Sequence, residues 1–225
     1  TEEKAPDGYL KTKEPINVTI DQPYESGDQT KTGNSMTVQN QEIRQHVKLT
    51  KKDKETGTAL ENAEFELRNE SGDTVQTHLK TDEKGEILFK HLEPGSYYFV
   101  ETNAPKGYQL NQQKWPFTIK ENQTETTVVT AVNDIIKGSA ELSKIGEGGE
   151  RLEGAQFKLL DQDGHELNGA LVTGKDGKIT INELRPGSYQ LIETNAPDGY
   201  VLDETPITFE VPLHPKEPVI ISQKN

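Results

Sequence analysis

Short runs in which apolar and polar residues alternate recur along the whole chain, and each reads as a strand with one face buried. Residues 63–67 (AEFEL) and 155–159 (AQFKL) are the clearest of them. Turn-forming residues punctuate the runs roughly every 8–12 positions, as in a sandwich or barrel. The pattern predicts strands over His46–Lys51, Ala63–Arg68, Glu86–Lys90, Ser96–Glu101, Trp115–Lys120 and Thr126–Asn133. It predicts a second set over Ala140–Lys144, Ala155–Leu160, Lys178–Asn182, Ser188–Glu193, Pro206–Val211 and Pro218–Asn225. A turn is expected at Glu70–Asp73, a hairpin about Asp82–Gly85, and reversals at Pro94-Gly95 and Ala104–Gly107. Helical periodicity never persists beyond a turn or two, so the predicted class is all-β.

The two sets of strands are copies. ETNAPKGY at Glu101–Tyr108 returns as ETNAPDGY at Glu193–Tyr200, 92 positions later, and a diverged form, EEKAPDGY, occupies Glu2–Tyr9. A fixed long period marks a domain array. Lys51 and Lys144 recur 93 positions apart, as do Asn40 and Asn133, and Asn225 follows Asn133 by 92. The chain therefore divides into the back part of one domain over 1–42 and two complete domains over 43–135 and 136–225. The junctions, Gln41–Gln45 and Asp134–Ser139, are short and lack Gly/Ser-rich stretches, which predicts a fairly stiff rod. In the first part, Asp21–Ser35 reads as an enlarged loop, and the lysine-bearing strand is missing, so the protein is expected to continue upstream.

Strand faces give these recurring residues a chemical meaning. Residues two apart share a face, so Lys51 continues the apolar row of Val47 and Leu49, and Lys144 that of Ala140 and Leu142. Glu101 continues Tyr97 and Phe99, Glu193 continues Tyr189 and Leu191, and Asn133 continues Val129 and Ala131. A buried lysine and a buried glutamate are costly unless they pair or neutralise. One of each beside a carboxamide in every repeat is the chain's only candidate reactive set. Without a covalent step, the same residues would form buried salt-bridge and hydrogen-bond networks.

Composition narrows the setting. Of 225 residues only 30 % are apolar, a low figure that the local alternation reconciles with small sandwiches having wet outer faces. A net charge of −13 disfavours nucleic acid and anionic membranes as partners. The absence of cysteine excludes disulfides and thiol chemistry. No stretch is long and apolar enough for a membrane span, and the polar N-terminus is no signal peptide, so any export signal or anchor is expected outside this chain.

These pieces together resemble the collagen-adhesin B-type (CnaB, or SpaA-like) domains of Gram-positive surface proteins and pilins. The resemblance rests on the lysine strand with its following A-x-F-x-L strand, the P-G-x-Y hairpin exit, the E-T-x-A-P-x-G-Y motif and the terminal asparagine strand. It covers nearly the whole chain and implies tandem immunoglobulin-like, prealbumin-like β-sandwiches in a rod. It further implies internal isopeptide bonds, Lys51–Asn133 assisted by Glu101 and Lys144–Asn225 assisted by Glu193. Burial favours a neutral amine that can attack a carboxamide and a protonated carboxyl that can shuttle its proton. Repeat two departs from the pattern, with Lys144-Ile-Gly146 in place of Lys51-Lys-Asp53 and Gln223 at the place of Ala131. Glu2 and Asn40 match the assisting and acceptor positions without a lysine, so no bond is expected there within this chain.

The function so implied is a structural stalk of a cell-wall-anchored adhesin or pilin, outside the cell and monomeric when isolated. Its partners are neighbouring domains of the same surface protein, and its cross-links are single-turnover self-modifications rather than enzymatic work. A second reading is an adhesin module gripping a host protein or glycan through residues 21–35 or the Trp115 region, although Trp115 also suits a core position. No cofactor or metal site is expected. Residues 169–175 (GALVTGK) lack the hydroxyl residue and following helix of a phosphate loop. Asp161–Gly164 lacks the closing glutamate of a calcium loop and reads as a β-turn. The five histidines have no ligand spacing, and no nucleophile elbow is present. The sequons at Asn17, Asn69 and Asn122 are read as inert, and His214-Pro-Lys216 is set aside as a polymerisation motif.

Overall fold

A computed structural model describes residues 2–13, 17, 37–167 and 169–224. Repeat one consists of β1 (Val47–Asp53), β2 (Glu64–Asn69), β3 (Thr74–Lys80), β4 (Glu86–Phe89), β5 (Gly95–Asn103), β6 (Lys114–Ile119) and β7 (Thr127–Asn133). Repeat two follows with β8 (Gly138–Ile145), β9 (Gln156–Leu160), β10 (Leu171–Val172), β11 (Lys178–Leu184), β12 (Gly187–Asn195), β13 (Ile207–Val211) and β14 (Val219–Lys224). No helix occurs among the described residues.

Each repeat is a sandwich of a three-stranded and a four-stranded sheet. The orders are β4-β1-β7 against β3-β2-β5-β6 in the first, and β11-β8-β14 against β10-β9-β12-β13 in the second. First and last strands lie side by side and run parallel, β1 with β7 and β8 with β14, whereas the other pairings are antiparallel. The inward rows meet between the sheets. Leu49, Phe65, Leu67 and Phe99 anchor one core, and Leu142, Phe157, Leu159 and Leu191 the other. Aromatic stacking extends both, with Phe99 on Phe117 at 5.2 Å in repeat one and Tyr189 on Phe209 at 5.5 Å in repeat two.

Every predicted strand is present, with ends displaced by at most two residues. Two further strands, β3 and β10, escaped the alternation. β3 is an edge strand whose sequence TVQTHLK is exposed on both faces along almost its whole length, so burial imposes no period on it. The expected hairpin about Asp82–Gly85 is a local reversal only, closed by Gly85 N donating to Asp82 O (2.8 Å). Its flanking strands β3 and β4 belong to opposite sheets. Gly85 (φ +71°) makes this reversal possible. A Cβ there would stand 2.5 Å from the Lys51 carbonyl oxygen, and Gly177 (φ +68°) stands likewise beside that of Lys144.

The A-P-x-G-Y turn anchors the domain junction. Gln109 N donates to Asp134 O (2.9 Å), Ile136 N donates to Gly107 O (2.8 Å), and Tyr108 bridges Ile135. The opening segment repeats the arrangement: Leu10 N to Gln41 O (2.8 Å), Ile43 N to Gly8 O (2.7 Å), and Tyr9 bridged to Glu42.

Candidate functional site

β1 carries Lys51 inward in its buried row, between Leu49 and Asp53, and the parallel register places Ala131 of β7 directly opposite. Because alanine is short, the lysine side chain leans past it to Asn133, two residues on. Lys51 Nζ donates a hydrogen bond to Asn133 Oδ1. Glu101, delivered by β5 from the facing sheet, lies 3.1 Å from the same amine. Its two oxygens accept from Asn133 Nδ2 at 2.9 and 3.0 Å, and Oε2 also takes the backbone N–H of Asn111 (2.8 Å). All three side chains are essentially out of solvent.

The surroundings favour loss of charge on the amine. Burial pushes the Lys51 ammonium below its ordinary value, and this outweighs the opposing pull of the Glu101 carboxylate. Phe65 and Trp115 wall the amine, their ring centres 5.4 and 5.0 Å from Nζ. Trp115 is thus a buried core residue packed edge-on to Phe65 at 5.7 Å, and its side chain is not available for an exposed contact.

Repeat two brings Lys144 and Glu193 together in the same way, 3.0 Å apart and fully buried, with Phe157 5.6 Å beneath the amine. Glu193 Oε2 accepts from Asp203 N (3.1 Å), as Glu101 does from Asn111. The residue opposite the lysine is different: Gln223 pairs with Lys144 and accepts its Nζ at 2.8 Å. Asn225 lies outside the described residues, as does the loop at 21–35. In the opening segment, Asn40 Nδ2 donates to both Glu2 oxygens (2.8 and 2.9 Å) and Thr12 N donates to Glu2 Oε2 (2.8 Å), reproducing the Glu101–Asn133 geometry without a lysine.

A second cluster joins the repeats and had no signal in the sequence, because its members come from different domains. Arg185, in the turn between β11 and β12, reaches Asp53 Oδ2 at 2.5 Å and Glu55 Oε2 at 2.7 Å. Lys137 in the junction pairs with Glu55 at 2.6 Å, and Tyr108 OH donates to Asp53 Oδ2 at 2.9 Å. Burial alone would raise the Asp53 pKa. The Thr56 amide, Arg185, Tyr108 and the Glu55 amide outweigh it and hold the carboxyl well below the usual range. Tyr108, partly buried and facing that carboxylate, is pushed up to about 12. The Asp161 turn is held by its own side chain, with Asp161 Oδ1 accepting from Asp163 N and His165 N (2.9 and 2.8 Å).

Comparison with known proteins agrees with this architecture. The chain matches the family described as SpaA, prealbumin-like fold domain, over residues 45–134 and 138–225. It is 28% identical over 167 residues to the collagen adhesin of Staphylococcus aureus, a match covering 70% of this chain and 14% of that protein. Among solved structures it is similar to the Bacillus anthracis TIE protein, with 32% identity and a TM-score of 0.56 over 84% of this chain and 34% of the other. The BcpA major pilin subunit of Bacillus cereus also matches, with 18% identity and a TM-score of 0.37 over 81% of this chain and 99% of that one.

Proposed function

Because the chain belongs to the family of SpaA prealbumin-like fold domains, we propose that it forms stalk repeats of a Gram-positive surface adhesin or pilin, hardened by an internal Lys51–Asn133 isopeptide bond. The observation that carries the reading is the buried contact of Lys51, Glu101 and Asn133. In the reaction the neutral Lys51 amine attacks the Asn133 carboxamide carbon. Glu101 hydrogen-bonds the carboxamide, takes a proton from the attacking nitrogen and returns it to the departing one, and ammonia leaves. One turnover consumes both partners, so this is self-modification rather than enzymatic turnover.

The mechanical consequence follows from topology. The parallel β1 and β7 take tension at opposite ends, and a bond between residues 82 positions apart would carry it past the rest of the sandwich. By analogy with disulfides, a loop of that size removes roughly 4–5 kcal/mol of unfolded-state entropy. The Arg185 clasp and the backbone-tied junction suit the same role, since they resist bending between repeats. The collagen adhesin relative favours placement on the cell surface, beside other domains of a longer protein.

Intact mass tests the reading. The full chain is expected to weigh at least one ammonia less than its sequence, with a Lys51–Asn133 branched peptide after digestion. Glu101→Ala should restore that ammonia. An unbranched Lys51 in the folded, purified protein would overturn the proposal.

A further inference from the structure

Among the described residues the two buried lysines meet different carboxamides, Asn133 in repeat one and Gln223 in repeat two. Ala131 leaves room for Lys51 to lean along β7 toward Asn133. In repeat two that room is filled by Gln223, which stands directly opposite Lys144 and is itself only 8% exposed. Its carboxamide oxygen takes the lysine amine at 2.8 Å. An amine held on a carbonyl oxygen is near the ~3–3.5 Å approach from which attack on the carbon begins. A turn of the flexible glutamine side chain, with no movement of strand, would complete it. Glu193 Oε1 is buried and lies 3.0 Å from the amine, within reach of its proton.

We propose that repeat two closes through Gln223, forming an ε-(γ-glutamyl)lysine bond between Lys144 Nζ and Gln223 Cδ. The proposal rests on the same lysine–carboxamide chemistry as repeat one, with a different acceptor. Glu193 takes the proton of the Lys144 amine and Nζ attacks Cδ, giving a tetrahedral intermediate. Nε2 then leaves as ammonia, carrying the proton that Glu193 returns. One N–C bond forms, one breaks, and nothing is oxidised or reduced.

Lys224 makes the acceptor readable, because trypsin cuts after it and separates Gln223 from Asn225. In the unmodified full chain, a Gln223 bond yields a Lys144 peptide joined to the peptide ending at Lys224. An Asn225 bond yields a Lys144 peptide bearing a single asparagine. Joining at Gln223 is the expected result. Joining at Asn225, or an unbranched Lys144, overturns the proposal. Intact mass supplies the second arm: Asn225→Ala should still lose two ammonias and Gln223→Leu only one. The Lys51 peptide is read in the same digest, so failure of the chemistry in repeat one is seen separately from failure of Gln223 as acceptor.

Discussion

Repeat one and repeat two share a fold, a register and a buried lysine–glutamate pair, yet differ in what surrounds the pair. Repeat one sets Ala131 opposite its lysine, covers the amine with Trp115, and ends β1 in Asp53. Repeat two has Gln223, Ile207 and Gly146 at these places. Both sandwiches supply the buried pair, whereas the side chain set opposite the lysine on the neighbouring parallel strand is Ala131 in one and Gln223 in the other. The Asp53 position adds a second lesson. Its carboxylate lets repeat one hold the next domain through Arg185, and Gly146 gives repeat two no such handle.

The largest effect should come from Glu101→Ala. It removes the proposed cross-link and leaves Lys51 buried without its partner, which together should cost more than about 5 kcal/mol. The single tryptophan lies in repeat one, so Trp115 fluorescence should report a lower melting temperature there while repeat two keeps its own. Unchanged Trp115 melting would remove the distinction between a cross-linked and an ordinary sandwich. Next in size is Gly85→Ala, for which a left-handed backbone and the nearby Lys51 carbonyl predict a loss of about 1–3 kcal/mol. Gly177→Ala should behave alike, since both repeats share this contact, and calorimetry would show whether they do.

Arg185→Ala should affect the junction more than either core. It takes the guanidinium from the buried Asp53 carboxylate, which keeps its Tyr108 and backbone partners, and small-angle scattering should show a broader spread of interdomain angles. Asp53 also sets the acid limit of the clasp. Its folded pKa is depressed, so its contribution is complete above the ordinary aspartate value of 3.8 and is lost as pH falls through the lower folded value. Scattering profiles should therefore stay constant from neutrality down to about pH 4 and change only in stronger acid. The smallest effect is expected from Trp115→Ile, which gives repeat one the cover of repeat two. The bond should still form, more slowly, and a time course of ammonia loss after refolding would measure the delay.

Much of this was legible in the chain. A period of two places Lys51, Glu101 and Asn133 on inward faces whatever the details of packing, because each continues a row of apolar residues. The repeat of 92–93 residues marks the same positions in the second domain. The edge strand β3 was not legible, since a strand exposed on both faces leaves no hydrophobic period. Trp115 could not be assigned between surface and core until Phe65 was seen against it. The Arg185–Asp53 contact was hidden as well, for these residues lie 132 positions apart in different domains.

Burial and strand alternation are local rules that any register must obey, so the residues alone mark an all-β array whose complete repeats each bury a lysine and a glutamate. The side chain set opposite each lysine and the arginine that holds the domains together came from packing. Those choices depend on the parallel register of first and last strands and on side-chain volume across it, and neither is encoded in the period of a single strand.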